Sequence, residues 1–289
     1  MTRAAILKAV IIFFGVAVIS SYSFGTEFYN PRPLGLGGAY RALADGNDAL
    51  YLNPAGMSLR PNYHVDMAYS FNRWGGGNIF NISIKDSETS YPLAAGLGFT
   101  YLTENENLRD FKGYRLEFGL SYLITTWMLI GGNIRYYDFD VGRVEGKWAN
   151  ATADIGLLFP IHQYISFAVT GTNLIRAGDD PPPLKTAQGI RVGHYSYFNL
   201  LFDFEQDYTT GDTIKLIYHG AGELMLGSYF AFRIGYSDDF AYEQKYITGG
   251  LGFISPRFGL DFGIKQRVGG GEPPPSSDRW FGFGLKMFM

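Results

Sequence analysis

The chain has 289 residues, of which 46% are hydrophobic, 17% aromatic and only 18% charged, and its formal net charge is −3. Without a basic stripe, this composition argues against a nucleic-acid partner. The absence of cysteine excludes a disulfide framework, a thiolate metal site and a lipid-modified cysteine after processing.

Residues 1–25 are typical of an export signal. Arg3 and Lys8 supply a positive start, and the run from Ala9 to Ile19 is apolar but short for a spanning helix. We predict a cleaved signal peptide, with an uncleaved N-terminal anchor as the alternative. No later apolar run is long enough for a spanning helix, so a mature chain in a membrane must form a closed barrel.

Residues 26–61 lack a period of two. The stretch PRPLGLGGAYRALADGNDALYLNPAGM is rich in glycine, alanine and leucine and ends in Asn-Pro-Ala-Gly. A segment ahead of a barrel either hangs in the periplasm or folds into the lumen. Its small and apolar residues favour compact packing over an extended tail.

From residue 62 onward, apolar and polar residues alternate. In GYRLEFGLSY and YFAFRIGY, large apolar side chains occupy one parity, and Arg, Glu, Gly and Ser occupy the other. Successive side chains of a strand point to opposite faces. A lipid-facing apolar surface around a packed polar lumen fits this pattern better than a sandwich exposed to water.

We therefore predict an all-β fold for 62–289, a transmembrane antiparallel up-and-down β-barrel of about 14 strands with an N-terminal hatch or plug segment at 26–61. The predicted strands cover 62–71, 77–85, 93–102, 112–124, 127–139, 148–159, 163–173, 186–195, 197–206, 213–225, 228–237, 245–254, 257–267 and 279–289.

The connections alternate in length, as they do in outer-membrane barrels. Short turns are predicted at the periplasmic end. Longer polar connections are predicted outside, at 103–111, 140–147, 175–184 and 268–278. Tryptophans near strand ends (Trp74, Trp127, Trp148 and Trp280) indicate interface girdles facing outer-membrane lipid, with strand packing as the alternative for Trp127.

Charged residues on the polar parity are predicted to face the lumen, because a charge facing lipid costs about 2–4 kcal/mol at the midplane. They form either a selectivity surface or a salt-bridge network that fills a plugged barrel, and we favour the network. These residues are Asp66, Arg115, Glu117, Arg135, Asp154, Arg191, Asp203, Glu205, Glu223, Arg233 and Asp261.

No catalytic, metal or cofactor site is predicted. The four histidines have no metal-binding spacing, and a Ser/His/Asp hydrolase would need residues from distant strands. GLGGAY follows no strand and has Tyr40 where a dinucleotide loop needs glycine, so it is not a nucleotide motif.

The opening stretch PRPLGLGGAYRALADGNDALYLNPAGM resembles the N-terminal signature of the FadL superfamily of outer-membrane barrels, in particular its PorV/PorQ branch. HGAGELMLGSYFAFRIGY is similar to a recurrent hairpin of that branch. The final strand, RWFGFGLKMFM, resembles the signal read by the outer-membrane assembly machinery; an ordinary terminal strand is the alternative.

The resemblance implies a hatch that plugs the lumen, with the Asn-Pro-Ala motif where hatch meets wall. A simple turn into the first strand is the alternative. An Asx-type turn at Asn53, the fixed φ of Pro54 and the small residues that follow would suit a close approach of the hatch to the wall. The implied hatch residues are Gly35, Gly37, Gly38, Asn53, Pro54, Ala55 and Gly56.

Two functions follow from the resemblance. The first is passive transport of hydrophobic small molecules through a plugged barrel, with an apolar ligand site between hatch and wall. Its candidate residues are Leu34, Leu36, Leu43, Leu50, Tyr51 and Phe99. In the third strand, Pro92, Gly96 and Gly98 mark either a kink that opens the wall or tight packing.

The second function is that of a non-transporting accessory barrel. The PorV-type branch includes proteins that receive or shuttle secreted protein cargo at the cell surface. Such a role would use the outer connections at 103–111, 175–184 and 268–278. Fold alone does not decide between transport and this role.

Overall fold

The structure of the protein is a computed structural model. It describes residues 30–73, 76–106, 109–140, 147–175, 182–211, 213–270 and 278–289. The predicted export signal at 1–25, Trp74 and most of the predicted connections at 140–147, 175–184 and 268–278 lie outside these residues.

Fourteen antiparallel strands form one closed barrel, in which each strand pairs with its sequence neighbours and the last strand pairs with the first. This confirms the predicted antiparallel β-barrel of about 14 strands. The strands are β1 Tyr63–Asn72, β2 Asn78–Asp86, β3 Leu93–Glu106, β4 Arg109–Thr125, β5 Met128–Asp140, β6 Lys147–His162, β7 Ile165–Thr172, β8 Lys185–His194, β9 Phe198–Asp207, β10 Lys215–Leu226, β11 Phe230–Asp239, β12 Gln244–Ile254, β13 Phe258–Gly269 and β14 Arg279–Phe288.

The two faces of the wall differ as the alternation predicts. Along β11, Phe232 and Ile234 are 44% and 71% exposed, whereas the intervening Arg233 is 5% exposed. The same alternation of exposed apolar and buried polar positions appears on β4 and β9. The barrel therefore presents an apolar outer surface and encloses a polar interior.

The predicted connection at 103–111 is wrong in its extent. Strand β3 continues to Glu106 and β4 begins at Arg109, so most of that stretch is strand. Backbone pairing of the two strands continues from Thr103 opposite Lys112 to Glu106 opposite Arg109. The polar composition that suggested a loop does not prevent this pairing.

Two tryptophans do not face lipid. Trp148 shares the inward parity of the buried Asn150, and its ring stacks on Phe139 at 5.5 Å between centroids. Trp280 has the inward parity of Gly282. Trp127, 54% exposed at the β4–β5 turn, keeps its predicted outward position. The girdle prediction considered only how near each tryptophan lies to a strand end. The parity of its position in the strand decides whether its side chain points inward or outward.

Ahead of β1, residues 30–59 form short elements joined by turns, here called the N-terminal segment. They are helix α1 (Pro31–Gly35), helix α2 (Asp48–Leu52) and a 3₁₀ turn (Pro54–Ser58). Proline begins α1 and the 3₁₀ turn, where its missing N–H is not needed. Among the described residues, no helix has the length and apolarity to cross a membrane.

Candidate functional site

The N-terminal segment packs against inward-facing residues on opposite sides of the barrel. Helix α1 contacts β11 to β14, while the 3₁₀ turn contacts β3 to β6. Nearly every residue from 30 to 58 is buried. The segment therefore crosses the interior from one side of the wall to the other.

An apolar cluster lies where the segment meets the wall. Five of the six predicted ligand residues belong to it and are at most 6% exposed: Leu34, Leu36, Leu43, Leu50 and Tyr51. Two glycines of β3 face this cluster, since a Cβ on Gly96 or Gly98 would meet the Leu50 side chain. Eleven of its thirteen buried members belong to the segment, and Ala94 of β3 and Leu201 of β9 join it from the wall.

Phe99 does not join the cluster. It has the same parity as Leu97 and Tyr101, which face outward, and its ring stacks on Tyr114 at 6.3 Å. The ladder from β2 to β3 to β4 runs past Gly96 and Gly98 in constant register. Tight packing against the segment thus accounts for these glycines.

The Asn-Pro-Ala motif lies directly on the wall. The Asn53 carboxamide oxygen accepts the Ala55 N–H at 3.2 Å, and its nitrogen donates to the carbonyls of Arg41 (3.0 Å) and Leu157 (3.2 Å). Ser121 of β4 donates to the Ala55 carbonyl at 2.8 Å. One asparagine therefore closes an Asx turn and joins two stretches of the segment to β6.

Wall glycines leave room for the segment backbone at these contacts. A Cβ on Gly131 of β5 would lie 2.5 Å from the Ala55 nitrogen. On the opposite side, a Cβ on Gly235 of β11 would lie 2.6 Å from the Leu36 carbonyl carbon. Neither position accepts a larger residue without displacing the segment.

Side chains of the wall also satisfy carbonyl groups of this irregular backbone, which has few internal partners for them. The donors and their segment acceptors are Ser166 to Ala42 (2.7 Å), Asn133 to Leu50 (2.7 Å), Arg135 to Tyr51 (2.8 Å), Lys85 to Met57 (3.2 Å) and Thr248 to Gly35 (3.0 Å). The contacts come from strands distributed around the barrel.

A chain of ion pairs ties α1 to β10 and β11. Arg32 lies 2.7 Å from Asp45 and 3.1 Å from Glu223, and Glu223 also binds Arg233 at 2.8 Å. Burial disfavours the ionised form of Asp45, but the Arg32 guanidinium and the Tyr40 hydroxyl outweigh burial, so the pKa of Asp45 is well below its usual value. Asp45 is therefore a carboxylate.

The series of ion pairs continues from Arg233 to the last strand, β14. Arg233 binds Asp261 at 2.6 Å, and the Lys286 ammonium lies 3.4 Å from Asp261 and 2.8 Å from Asp48 of α2. Asp66 of β1 is 3.9 Å from the same ammonium. The network thus links the segment to β1, β10, β11, β13 and β14.

Two further clusters lie on other strands. Arg41 of the segment binds Asp203 at 3.2 Å and Glu205 at 2.7 Å on β9. The backbone N–H groups of Tyr40 and Arg41 also donate to Asp203, at 2.9 and 3.0 Å. This cluster fastens the middle of the segment to a wall strand.

Across the barrel, Arg135 of β5 binds Glu117 at 2.8 Å and Asp154 at 2.5 Å. Arg115 lies 3.3 Å from Glu117, and its guanidinium lies over the Tyr51 ring at 5.4 Å. Because Arg135 also donates to the Tyr51 carbonyl, this cluster supports α2.

Arg191 alone among the predicted lumen residues is held by neutral groups. It donates to Ser166, to Asn199 and to the carbonyls of Gly193 and Gln163, at 2.9 to 3.3 Å. All eleven predicted lumen residues are at most 8% exposed. Ten of them contact one another, the segment or neutral polar groups, and the eleventh, Asp66, lies 3.9 Å from the Lys286 ammonium.

The sequence reasoning missed the partners that the segment supplies. Arg32 and Asp48 lie in helices of five residues, and Arg41 and Asp45 lie in the stretch between them. Elements this short give no period that assigns a side chain to the interior. Lys286, by contrast, has the inward parity of Gly282 and Gly284 on β14, so alternation was a usable signal. In the described part of the chain, no group of three or more His, Asp or Glu residues suits a metal ion.

An apolar depression of about 650 Å³ lies in the wall across β10 to β13. Outward glycines (Gly220, Gly222 and Gly249) and the neighbouring isoleucines Ile234 and Ile247 line it. It lies outside the buried apolar cluster around the segment.

No protein-family model matches the chain, and no curated protein matches it in sequence. Solved structures match it in fold. The CymD monoaromatic hydrocarbon channel aligns with a TM-score of 0.69 and 12% identity, over 92% of this chain and 98% of that one. The Ralstonia pickettii toluene transporter TbuX aligns with a TM-score of 0.67 and 11% identity, over the same shares.

A FadL homologue of Pseudomonas aeruginosa gives a TM-score of 0.63 at 9% identity, over 90% of this chain and 98% of that one. The chain shares the fold of FadL-type outer-membrane barrels. At such identities the likeness concerns the fold alone, and the PorV/PorQ branch stays a prediction.

Proposed function

We propose that this chain is an outer-membrane barrel of FadL type that passes hydrophobic small molecules, with the N-terminal segment as its plug. The apolar cluster between segment and wall supports this proposal most directly, because it is the surface an apolar ligand would share. The hydrocarbon-channel and toluene-transporter names of the fold neighbours agree with it.

The proposal includes export and assembly. Residues 1–25 act as a cleaved signal peptide, residues 26–61 as the hatch, and residues 62–289 as the barrel. The outer assembly machinery recognises the C-terminal strand, which pairs with β1 to close the barrel. The apolar outward face contacts outer-membrane lipid.

Lipid mass spectrometry of the purified protein tests the transport role. We expect a co-purifying apolar molecule that is lost in Leu36→Asp and in Leu50→Asp, whose side chains are at most 1% exposed within the cluster. Leu59→Asp, on the same segment but packed on a different cluster, is the matched control and should retain it. No ligand in the unaltered protein, or equal retention in all variants, would count against transport.

An accessory barrel of PorV type is the second candidate, and the interior charge network favours it. Ion pairs join the segment to strands around the barrel, as expected of a bore that stays filled. In that case secreted protein, captured by the outer connections, would co-purify in place of a small molecule. Cross-linking in intact cells distinguishes the two roles.

A further inference from the structure

The apolar depression across β10 to β13, here called the wall depression, lies on the outward face of the barrel. Ile234 and Ile247 line it and are 71% and 50% exposed. Its volume of about 650 Å³ is in the range of small-molecule sites. Because the wall depression is continuous with the apolar outer surface, a molecule that fills it comes from the membrane.

Glycines at outward positions create the wall depression. Gly222 faces Ile234, and Ile234 faces Gly249 on its other side, so the isoleucine stands between two positions without side chains. Gly220 has the same parity as Gly222 and faces Tyr236. Outward positions closer to the other end of these strands carry large apolar side chains. The wall depression is therefore a gap in an otherwise filled surface.

No packing contact among the described residues requires these outward glycines. A Cβ on Gly220 would meet nothing within 4 Å, and a Cβ on Gly222 or Gly249 would make ordinary contacts at 3.6 to 3.9 Å. The ladders from β9 to β12 run past them in constant register, so no bulge explains them. A glycine inside a strand weakens it, and it often marks the close approach of another molecule.

A polar rim borders the wall depression at one end. Gln266 belongs to its lining and faces Ile247, and Lys245 lies two positions from Ile247 on the same face. The Lys245 ammonium is 3.1 Å from the Asp238 carboxylate, and its side chain is 50% exposed. An ammonium has three donors, so this pair leaves donors for another acceptor. Arg279 of β14 faces Gln266 and places a second cationic side chain at the rim.

The rim lies at the predicted outer end of the barrel. Lys245 faces Gly269, where β13 ends and the predicted outer connection at 268–278 begins. The Tyr236 ring lines the wall depression, and its hydroxyl donates to Asp238 at 3.3 Å, as expected of an aromatic side chain at a membrane interface. An apolar gap that ends in cationic side chains matches a molecule with an acyl chain and a phosphate.

We propose that the wall depression binds a phosphorylated acyl lipid of the outer leaflet. One acyl chain lies along Gly220, Gly222 and Gly249, and the phosphate accepts hydrogen bonds from the Lys245 ammonium and the Gln266 amide. Hydrogen bonds from a cation to phosphate are stronger than those between neutral groups. The proposal goes beyond the transport role and does not depend on it, because the wall depression faces away from the buried apolar cluster around the segment.

Native mass spectrometry of the purified protein tests this, with dioleoyl phosphatidic acid as the probe. Dioleoylglycerol has the same acyl chains without the phosphate and is compared at the same concentration. We expect a saturable adduct of phosphatidic acid and about tenfold weaker binding of dioleoylglycerol. Equal binding of the two lipids would contradict the proposal, and so would displacement of phosphatidic acid by an equal concentration of inorganic phosphate.

Two variants fill the wall depression from different strands. Gly220→Leu on β10 and Gly249→Leu on β12 should each weaken phosphatidic acid binding by about tenfold or more. Ala151→Leu, at an outward position of β6, adds the same side chain elsewhere on the wall and should leave binding unchanged. Heat-dependent migration in gels shows which variants are folded barrels. Unchanged binding in either folded glycine variant refutes the site.

A rim variant tests the phosphate contact. Lys245→Gln should weaken phosphatidic acid binding about tenfold and leave dioleoylglycerol binding unchanged. Lys147→Gln, at an exposed position at the corresponding end of β6, is the matched control. A dimer that disappears in Gly220→Leu, without any lipid adduct, would assign the wall depression to a second copy of the chain and overturn the proposal. None of these readouts measures transport, so failure of the proposed transport role and failure of this proposal are distinguishable.

Discussion

Replacing Gly131 by alanine would push a methyl group into the N-terminal segment. The new Cβ would lie 2.5 Å from the Ala55 nitrogen and 2.7 Å from the Pro54 carbonyl oxygen. Non-bonded carbon atoms pack at about 3.5–4.0 Å, so the segment must move by about 1 Å. Overpacking of this kind costs about 1–3 kcal/mol.

The cost falls on the docked segment rather than on the barrel ladder. Strand β5 pairs with β4 and β6 through Gly131, and alanine keeps both backbone hydrogen-bonding groups. A change of about 1–3 kcal/mol raises the undocked population about 5- to 150-fold. The barrel itself should keep its secondary structure and melting behaviour.

Maleimide labelling of Ala49→Cys, a fully buried position in α2, measures the undocked population. The matched control is Gly220→Ala, where a Cβ would meet nothing within 4 Å. We expect faster labelling in Gly131→Ala and an unchanged rate in Gly220→Ala. Equal rates in the two variants would show that the segment does not need this glycine.

Glu223→Gln removes the carboxylate that Arg32 and Arg233 share, and breaking a buried pair costs about 3–5 kcal/mol. Circular dichroism should therefore show a lower melting temperature for this variant. The control Glu88→Gln, at an exposed position, should keep the melting temperature of the unaltered protein. Asn53→Ala loses one accepted and two donated hydrogen bonds. The free energy of undocking the segment, measured by urea titration, should therefore fall by about 1–3 kcal/mol. The ion pair with Arg32 that lowers the pKa of Asp45 stabilises the docked segment above about pH 4, and this contribution is lost as the pH falls further. Pepsin should therefore cleave the segment increasingly below that pH, and Asp45→Asn should reduce this acid dependence.

The barrel was predictable because one rule covers most of the chain. Alternation of residue type fixes which side chains face inward, and the eleven charged residues that it assigned to the lumen are at most 8% exposed. The prediction was wrong for one residue, where apolar composition was used in place of alternation. Phe99 was assigned to the pocket for its apolar character, although its parity with Leu97 and Tyr101 indicates the outer face.

The segment's own contacts were not predictable in detail. Its chain direction changes at Gly37, Gly38 and Gly46, which have positive φ values, so no repeat relates sequence position to direction. Arg32 and Arg41 find partners more than 160 positions away. Such pairings depend on the closed wall, and a local pattern carries no information about them.

The contact between Lys286 and Asp48 joins residues 238 positions apart in sequence. Lys286 belongs to the last strand, and that strand also closes the barrel against β1. Asp48 therefore meets this partner only once the last strand is present. A product that ends before β14 lacks both this ion pair and the strand that closes the wall, while the other contacts of the N-terminal segment remain available to it.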